Sequence, residues 1–331
     1  MMIRLLCLLT AMLVFSACHR DRQKGGGVPD MGIKVARYDR LQYEAVVMNS
    51  FTAMQRMNLD FPRATKLLIE DVLGLGTVSD PNINERLCAF YADSTLLRLM
   101  AEVEDRFKDM TELEQGLSDG FRRLKEEIPS LKIPRVYAQI SALNQSVVVA
   151  DSLLGFSLDK YMGADYPLYK RYYYDYQLRW MTPERILPDC FMFYLFSQYP
   201  FGWMPGRRSL QDVILYRGKV NWVVCHLLDY KSIEDFLGYT EEEKEWCKAN
   251  LKKMWEWMKE RNLPASTDPM VIRAFTHADP SFVFEGVKVP PYLGSWLGMK
   301  LVEIYLKQHE GLGMSALLDT HDFPAIADVK F

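Results

Sequence analysis

The residues from Thr111 to Ala150, TELEQGLSDGFRRLKEEIPSLKIPRVYAQISALNQSVVVA, contain the change in periodicity that decides the fold class. The first half has a capping box, Thr111-x-x-Glu114, and an apolar stripe at helical spacing, which together predict an amphipathic helix. The stripe consists of Leu113, Leu117, Phe121, Leu124 and Ile128. The second half is rich in β-branched residues on both sides of a turn near Asn144-Gln145, which predicts a β-hairpin of residues 134–140 and 147–150.

Helix signals dominate on both sides of this stretch, and only Leu153 to Tyr161 adds a possible third strand. Upstream, Asp39 is expected to cap a helix over about 40–57, and Pro62 to open another that ends at Gly74. Other apolar patterns and start signals predict further helices over 81–107, from Thr182-Pro183, Ser209, Thr240 and Asp268-Pro269, and over about 296–309 and 314–318. The predicted fold is therefore α+β and mainly α, with one small antiparallel sheet.

The first eighteen residues have the pattern of a lipoprotein signal. Arg4 precedes an apolar run that is too short to span a bilayer, and the run ends in Phe15-Ser16-Ala17-Cys18, which is typical of a lipobox. Residues 1–17 are therefore predicted to be a signal peptide. Cys18 is predicted to carry a diacylglycerol on its thiol and an acyl chain on its amine.

The segment after Cys18 reads as a flexible tether. Residues 18–32 are polar and include Gly25-Gly26-Gly27, which offer no side chains for packing. No Asp stands directly after Cys18 and the segment is basic, so an outer-membrane anchor that faces the periplasm is predicted. Residues 33–331 are predicted to form a single domain, since this length suits one large globular unit.

The composition is that of an ordinary globular protein. With 40 basic against 43 acidic residues, the net charge of −3 indicates no nucleic-acid partner. No later segment contains 18 uncharged apolar residues in a row, which argues against a second membrane crossing. The mature chain retains Cys88, Cys190, Cys225 and Cys247 in a compartment that permits disulfides. Both buried free thiols and any of the three possible pairings remain open.

The usual motifs of catalysis are absent from the sequence. There is no P-loop, GxGxxG or GxSxG motif, and His309-Glu310 begins like HExxH but has Gly313 at the place of the second histidine. Cys225, His226 and Asp229 have a spacing that permits metal binding, although a solvent-facing or core histidine is far commoner. No catalytic residue, cofactor-binding residue or metal ligand is therefore predicted. The alternative is an atypical hydrolase that uses His226 or His277 with nearby carboxylates.

Aromatic residues are concentrated in one region. Fifteen of the 44 residues from 161 to 204 are Phe, Tyr or Trp. Such rings pack between helices or, because tyrosine keeps a polar end, form a contact surface for a peptide, glycan or partner protein. The candidate binding surface comprises Tyr161, Tyr166, Tyr169, Tyr172, Tyr173, Tyr176, Trp203 and Trp296.

The order of several short motifs is similar to that of a known family. These are the lipobox, VARYD at 35–39, LDKYMGADYPLY at 158–169, MTPERI at 181–186, LYRGKV at 215–220 and GSWLG at 294–298. Over nearly the whole mature chain the sequence resembles the gliding-motility lipoprotein GldB family. The C-terminal Ala327-Asp328-Val329-Lys330-Phe331 departs from the short polar tail typical of that family.

The resemblance implies a fold related to the helical, gluzincin-like HExxH metallopeptidases. In an active relative the helix at 182–198 would carry HExxH, and a following helix would supply a glutamate. This chain has no histidine from 161 to 225, and Gly218-Lys219 stands where the glutamate pair is expected. The resemblance therefore implies a pseudo-peptidase that keeps a cleft without a metal.

The function expected from these arguments is that of a lipid-anchored periplasmic binding or scaffold component without catalysis. Its partners are expected to be the membrane, through the lipid, and other proteins of the envelope or motility machinery. A glycan-binding lipoprotein, with tyrosine and tryptophan rings stacked on sugars, is the second alternative beside the atypical hydrolase.

Overall fold

A computed structural model describes residues 32–201, 208–278 and 283–329. The predictions for the signal peptide, for Cys18 and for most of the tether concern residues outside these ranges. The same is true of Trp203, one of the predicted surface residues.

The described chain is mainly helical, as the apolar patterns predict. The helices are α1 (Tyr38–Val46), α2 (Phe51–Asp60), α3 (Pro62–Lys66), α4 (Ile83–Tyr91), α5 (Ser94–Arg106), α6 (Thr111–Glu127), α7 (Asp175–Leu178), α8 (Ile186–Gln198), α9 (Leu210–Leu227), α10 (Ile233–Phe236), α11 (Glu241–Glu260), α12 (Pro269–Thr276), α13 (Leu293–Gln308), α14 (Met314–Asp319) and α15 (Phe323–Ala327). A π-helical turn, Leu67–Val72, continues α3. Short 3-10 turns occupy Leu158–Lys160, Tyr169–Arg171 and Pro183–Arg185.

The main sheet has four strands, and its topology corrects the predicted hairpin. The strands β1 (Ala36–Arg37), β2 (Arg135–Gln139), β3 (Val147–Ala150) and β4 (Leu153–Ser157) lie in the order β1-β2-β4-β3. β4 pairs in parallel with β2 and antiparallel with β3, so the hairpin is β3-β4 and the sheet is mixed. The two residues between β3 and β4 permit a tight turn, at which Asp151 adopts a left-handed φ of 46°. A separate antiparallel pair joins β5 (Val283–Phe284) to β6 (Val287–Lys288).

Several helix starts confirm the predicted capping signals, whereas Thr111 does not. Ser209 and Thr240 both form complete capping boxes, at the starts of α9 and α11. At α6 the Glu114 carboxylate instead accepts a hydrogen bond from the Val35 backbone N–H at 3.0 Å. It also pairs with Lys34 at 2.6 Å. A tertiary contact with the segment before β1 has thus replaced the local capping interaction.

Asp39 does not cap a helix as predicted. It lies inside α1 and is almost completely buried, where the Arg37 guanidinium donates to it at 2.7 Å. The predicted helix over 40–57 is broken near Asn49, whose φ is 50°. Ser50 caps the second helix by accepting a hydrogen bond from the Ala53 N–H. A polar turn in left-handed conformation therefore separates α1 from α2.

The centre of the helical part is the crossing of α9 and α13, which pack closely because two glycines meet there. A Cβ atom on Gly218 would lie 2.4 Å from the Gly298 carbonyl carbon. A Cβ on Gly298 would lie 2.0 Å from the Ile214 carbonyl oxygen. Only the absence of a side chain lets the two backbones approach this far.

All four described cysteines are unpaired. Cys190, Cys225 and Cys247 are buried, and Cys88 is half-buried. Burial raises the pKa of the Cys225 thiol to about 12, so this thiol is inert near neutral pH.

Candidate functional site

The predicted aromatic surface divides into buried and exposed members. Tyr161, Tyr169 and Trp296 are core residues, each no more than 1% exposed, so their assignment to a binding surface is wrong. Tyr169 donates to the Asp159 carbonyl at 2.6 Å, and Trp296 donates to the Glu234 carboxylate at 2.8 Å. The three rings therefore pack in the interior of the protein, which is the other interpretation that the sequence allowed.

Tyr166 and Tyr173 are half-buried and act as anchors of this segment. The Tyr166 hydroxyl donates to Glu102 of α5 at 2.5 Å. The Tyr173 hydroxyl donates to the Leu143 carbonyl at 2.8 Å and accepts from the Lys160 ammonium at 2.6 Å. Both hydroxyls are thus used within the protein, and the two tyrosines attach the segment to the sheet loop and to α5.

Three tyrosines extend outward from these anchors and form what we call the tyrosine ridge: Tyr172, Tyr174 and Tyr176. Tyr172 is 63% exposed and Tyr174 is 70% exposed. The Tyr174 and Tyr176 rings are stacked, with centroids 5.5 Å apart and planes at 9°. Tyr174 was missing from the predicted surface, although its place in the run YYYDY was a signal for it. Exposed, pre-stacked rings are typical of contact surfaces, since they lose little side-chain freedom on binding.

An open groove adjoins the ridge, between α5 and the turn that contains Tyr166 and Arg171. Its volume is about 890 Å³. Arg98 pairs with Glu102 across one wall at 2.7 Å. The Arg171 side chain forms no hydrogen bond or ion pair with any residue in the described ranges, which leaves an exposed cation at the rim. The ridge and groove together present aromatic faces beside a free positive charge.

A second groove lies on the other side of the ridge, with a volume of about 560 Å³. It is formed by Tyr176 and Arg179, by α11 and by residues 287–291. Arg179 there makes a bidentate ion pair with Glu243, with N–O distances of 3.0 to 3.2 Å. Its charge is therefore compensated, in contrast to that of Arg171.

The helices at which the resemblance places a metal carry other residues. The N-terminal part of α8 has Asp189, which accepts from Arg185 at 2.8 Å and from the Tyr161 hydroxyl at 3.0 Å. α9 carries Gly218 at the glycine crossing, followed by the buried Lys219. Within the described ranges, no three His, Cys, Asp or Glu side chains are grouped so that they could hold a metal ion.

The His226 and Asp229 side chains, whose spacing permits a metal, have other partners. The exposed His226 ring is stacked on Trp222 at 3.7 Å, and its Nδ1 is hydrogen-bonded to the Trp222 carbonyl at 2.8 Å. Asp229 forms an ion pair with Arg123. The two side chains are therefore engaged separately.

Lys219 provides a prediction about pH. The side chain is almost fully buried and donates to the Leu318 carbonyl at 3.0 Å and to the Thr320 carbonyl. Burial lowers the pKa of Lys219 from 10.5 to about 8. Between these two values the unfolded chain binds a proton that the folded chain has released, so stability should increase with pH. Relative to Lys219→Met, the wild type should gain at most about 1.4 kcal/mol for each pH unit in this window.

Thermal unfolding of both proteins between pH 7 and 10.5 measures this difference. Lys170→Met, which removes an exposed lysine, is the matched control and should show no such slope relative to the wild type. A wild-type advantage over Lys219→Met that declines as pH rises would contradict the prediction.

The sequence arguments missed a group of arginines around Tyr292. Arg179, Arg185, Arg217 and Tyr292 come from three separate parts of the chain, and the sequence contains no sign that these parts meet. A possible signal was that the motifs Met181 to Ile186 and Leu215 to Val220 each contain an arginine. These motifs served only as evidence for the family resemblance.

Comparison with known proteins returned one result. A family model described as "Gliding motility protein GldB" matches residues 22–327. No curated protein and no solved structure matches the chain. The metallopeptidase-like part of the fold prediction therefore stays a prediction. In the described ranges, no helix has the length and apolar character needed to cross a membrane.

Proposed function

Because the chain belongs to the gliding motility protein GldB family, we propose that it is a lipid-anchored envelope lipoprotein that binds another protein of a motility machinery without catalysing a reaction. The binding surface in this proposal is the tyrosine ridge with its adjoining groove. The observation that carries the proposal is the strong exposure of Tyr172 and Tyr174 above anchors that use their own hydroxyls internally.

The chemistry of the ridge supports a protein partner. Contact residues that dominate protein–protein affinity are enriched in tyrosine and arginine, and both occur here. The Tyr174–Tyr176 stack is already formed, so binding would cost little ordering of these side chains. The unpaired Arg171 at the rim would favour a carboxylate on the partner.

The residues on α8 and α9 support a role without catalysis. An ion pair, Arg185–Asp189, and a buried lysine occupy the helices that would supply imidazole and carboxylate ligands in an active relative. A metallopeptidase needs those ligands to lower the pKa of a bound water. The geometry of His226 described above lends no specific support to the atypical hydrolase.

The lipobox supports the proposed location. A diacylated and N-acylated Cys18 would hold the protein on the bilayer, because each buried acyl CH₂ contributes about 0.8 kcal/mol to membrane binding. The absence of Asp directly after Cys18 supports the periplasmic face of the outer membrane. Residues 18–31 would then connect the lipid to the folded domain.

The tyrosine ridge is tested by the triple variant Tyr172→Ala, Tyr174→Ala, Tyr176→Ala. We expect at least a tenfold loss of colony spreading when the variant replaces the wild-type gene in the cell that carries it. A photoreactive amino acid at position 172 should crosslink to one envelope protein, and the crosslink should disappear when positions 174 and 176 are alanine. The expected cause is the loss of the stacked contact area.

The matched control replaces three other exposed apolar side chains, Met48, Phe51 and Leu59, by alanine. This variant should spread and crosslink like the wild type, and both triple variants should keep the wild-type melting temperature. Normal spreading and crosslinking of the tyrosine variant would refute the surface assignment. Normal spreading of a full deletion strain would refute the motility role, while the crosslink would still report on the surface.

A further inference from the structure

Tyr292 lies where three separate parts of the chain meet. The Trp180 ring packs edge-on against Tyr292 with centroids 4.8 Å apart. Trp180 and Arg185 donate to consecutive carbonyls of the chain, those of Leu237 and Phe236, at 3.0 and 2.8 Å. Since consecutive carbonyls lie close together, Arg185 is held on the Trp180 side of Tyr292.

Arg217 is held near Tyr292 by a similar arrangement. Its guanidinium donates to the Thr276 carbonyl at 3.1 Å, and the Tyr292 N–H donates to the next carbonyl, that of His277, at 3.4 Å. The α9–α13 crossing adds to this proximity, because Ile214, one turn before Arg217, lies so near Gly294 that a Cβ on this glycine would be 2.8 Å from the Ile214 Cγ2. Both guanidinium groups are therefore held near Tyr292.

A third guanidinium completes the group. Arg179 lies over the Trp180 ring at 4.3 Å, on the residue that contacts Tyr292. The hydroxyl of Tyr292 is within electrostatic reach of Arg179, Arg185, Arg217 and Asp189. We call this group, with Tyr292 and Trp180, the arginine cluster.

The charges of the cluster do not balance. Arg179 pairs with Glu243 and Arg185 pairs with Asp189, but no carboxylate in the described ranges pairs with Arg217. Three cations and two anions leave one positive charge in excess. Arg217 is half-buried, and burial lowers the pKa of its guanidinium, which accords with the lack of a paired carboxylate in the described ranges.

Unused hydrogen-bonding groups point to the same place. Arg217 makes one hydrogen bond in the described ranges, although a guanidinium has five N–H donors. The Nε atoms of Arg179 and Arg185 are buried without a partner. The Tyr292 hydroxyl makes no hydrogen bond to any residue in the described ranges. Buried donors such as the two Nε atoms are rarely left unsatisfied in a native protein unless water or a ligand uses them.

The backbone of Tyr292 is also unusual. Its φ of 55° and ψ of 32° place a bulky residue in the left-handed region. This conformation is costly for a non-glycine residue and is found mainly at turns and functional sites. It starts α13 and orients the ring towards Trp180.

We propose that the arginine cluster is an oxyanion site that binds the carboxylate of a small organic acid or of a peptide end. A carboxylate carries the single negative charge that the cluster lacks, and its two oxygens match the planar fork of Arg217. The Tyr292 hydroxyl would donate to one oxygen, and the rings of Trp180 and Tyr292 would contact an apolar group next to the carboxylate. This site is independent of the tyrosine ridge and of the proposed motility role.

The test is a titration of the full chain with benzoate, with Trp180 as a nearby fluorescent reporter. We expect saturable quenching, and at least a tenfold weaker apparent affinity for Arg217→Gln. Arg217→Lys keeps the charge but loses the fork, so its affinity should fall by about threefold or more. Tyr292→Phe keeps the ring and loses the hydroxyl, and it should also bind more weakly.

Arg135→Gln is the matched control, because Arg135 is exposed, lies on β2 outside the arginine cluster, and forms no ion pair with any residue in the described ranges. It should bind benzoate like the wild type, and circular dichroism should show that every variant is folded. Equal affinity of Arg217→Gln and the wild type would overturn the site. Saturation by inorganic phosphate at lower concentration than by benzoate, in an Arg217-dependent manner, would overturn the assignment to a carboxylate.

Discussion

Replacing Gly298 by alanine is expected to destabilise the protein by about 4 kcal/mol or more, which exceeds the effect of most single substitutions. The new Cβ would lie 2.0 Å from the Ile214 carbonyl oxygen and 2.8 Å from the Ile214 carbonyl carbon. Both atoms belong to the backbone of α9, so no side-chain rotation can relieve the overlap. The helices would have to separate at the centre of the core.

The separation would affect many contacts at once. Both helices bury apolar residues along most of their length, among them Leu215, Val220, Leu297 and Leu301. Interiors are packed as densely as organic crystals, so a shift of either helix leaves gaps around these side chains. Gly218→Ala should act similarly, since its Cβ would meet the Gly298 backbone from the other side.

Urea unfolding followed by circular dichroism measures the effect as a shift of the midpoint. The matched control is Gly313→Ala, because nothing lies within 4 Å of the position its Cβ would take and its φ is −77°. The control should lose no more than about 1 kcal/mol. If Gly298→Ala unfolded at the same urea concentration as the control, the close crossing of α9 and α13 would be refuted.

Replacing Cys18 by serine is expected to abolish the proposed lipid attachment. Serine provides no thiol for the diacylglycerol, and without it the cleavage before residue 18 should not occur. The protein would then lose acyl chains whose many CH₂ groups each contribute about 0.8 kcal/mol to membrane binding. The uncleaved signal segment would remain on the variant, so the loss of the lipid label, rather than of sedimentation with the membranes, reports on Cys18.

Labelling with radioactive palmitate measures the lipid attachment, and fractionation of the cells measures where the protein is located. Cys88→Ser is the matched control, because it removes a half-buried cysteine of the folded domain. The control should be labelled and should sediment with the membranes, whereas Cys18→Ser should show no label. Palmitate on the Cys18→Ser protein would refute lipidation at this position.

Local signals in the sequence were sufficient for many of the helices. Ser209 and Thr240 form their predicted capping boxes, and the helix after Asp268-Pro269 begins at Pro269. These starts depend on hydrogen bonds between residues three positions apart or less, so the sequence around them contains all the participants. The same reasoning failed at Thr111, where Val35 and Lys34 compete successfully for Glu114.

The candidate site was only partly predictable for the same reason. The run of tyrosines at 172–176 marked the region, but not which rings would face the solvent. Tyr169 and Tyr172 differ by three positions, yet one is completely buried and the other is 63% exposed. The difference comes from Asp159 and Met162, whose backbone groups bind the Tyr169 hydroxyl inside the fold.

The sequence by itself determined the class of the fold, the family and most of the helix starts, because these depend on periodicity, short-range hydrogen bonds and the order of motifs along the chain. Only the tertiary structure decided that β4 lies between β2 and β3, that Gly218 meets Gly298, and that Arg217 and Tyr292 donate to the consecutive carbonyls of Thr276 and His277. Each of these depends on groups that are far apart in the chain and are brought together by packing. Their energies come from burial, close backbone approach and uncompensated charge, none of which exists before the chain has folded.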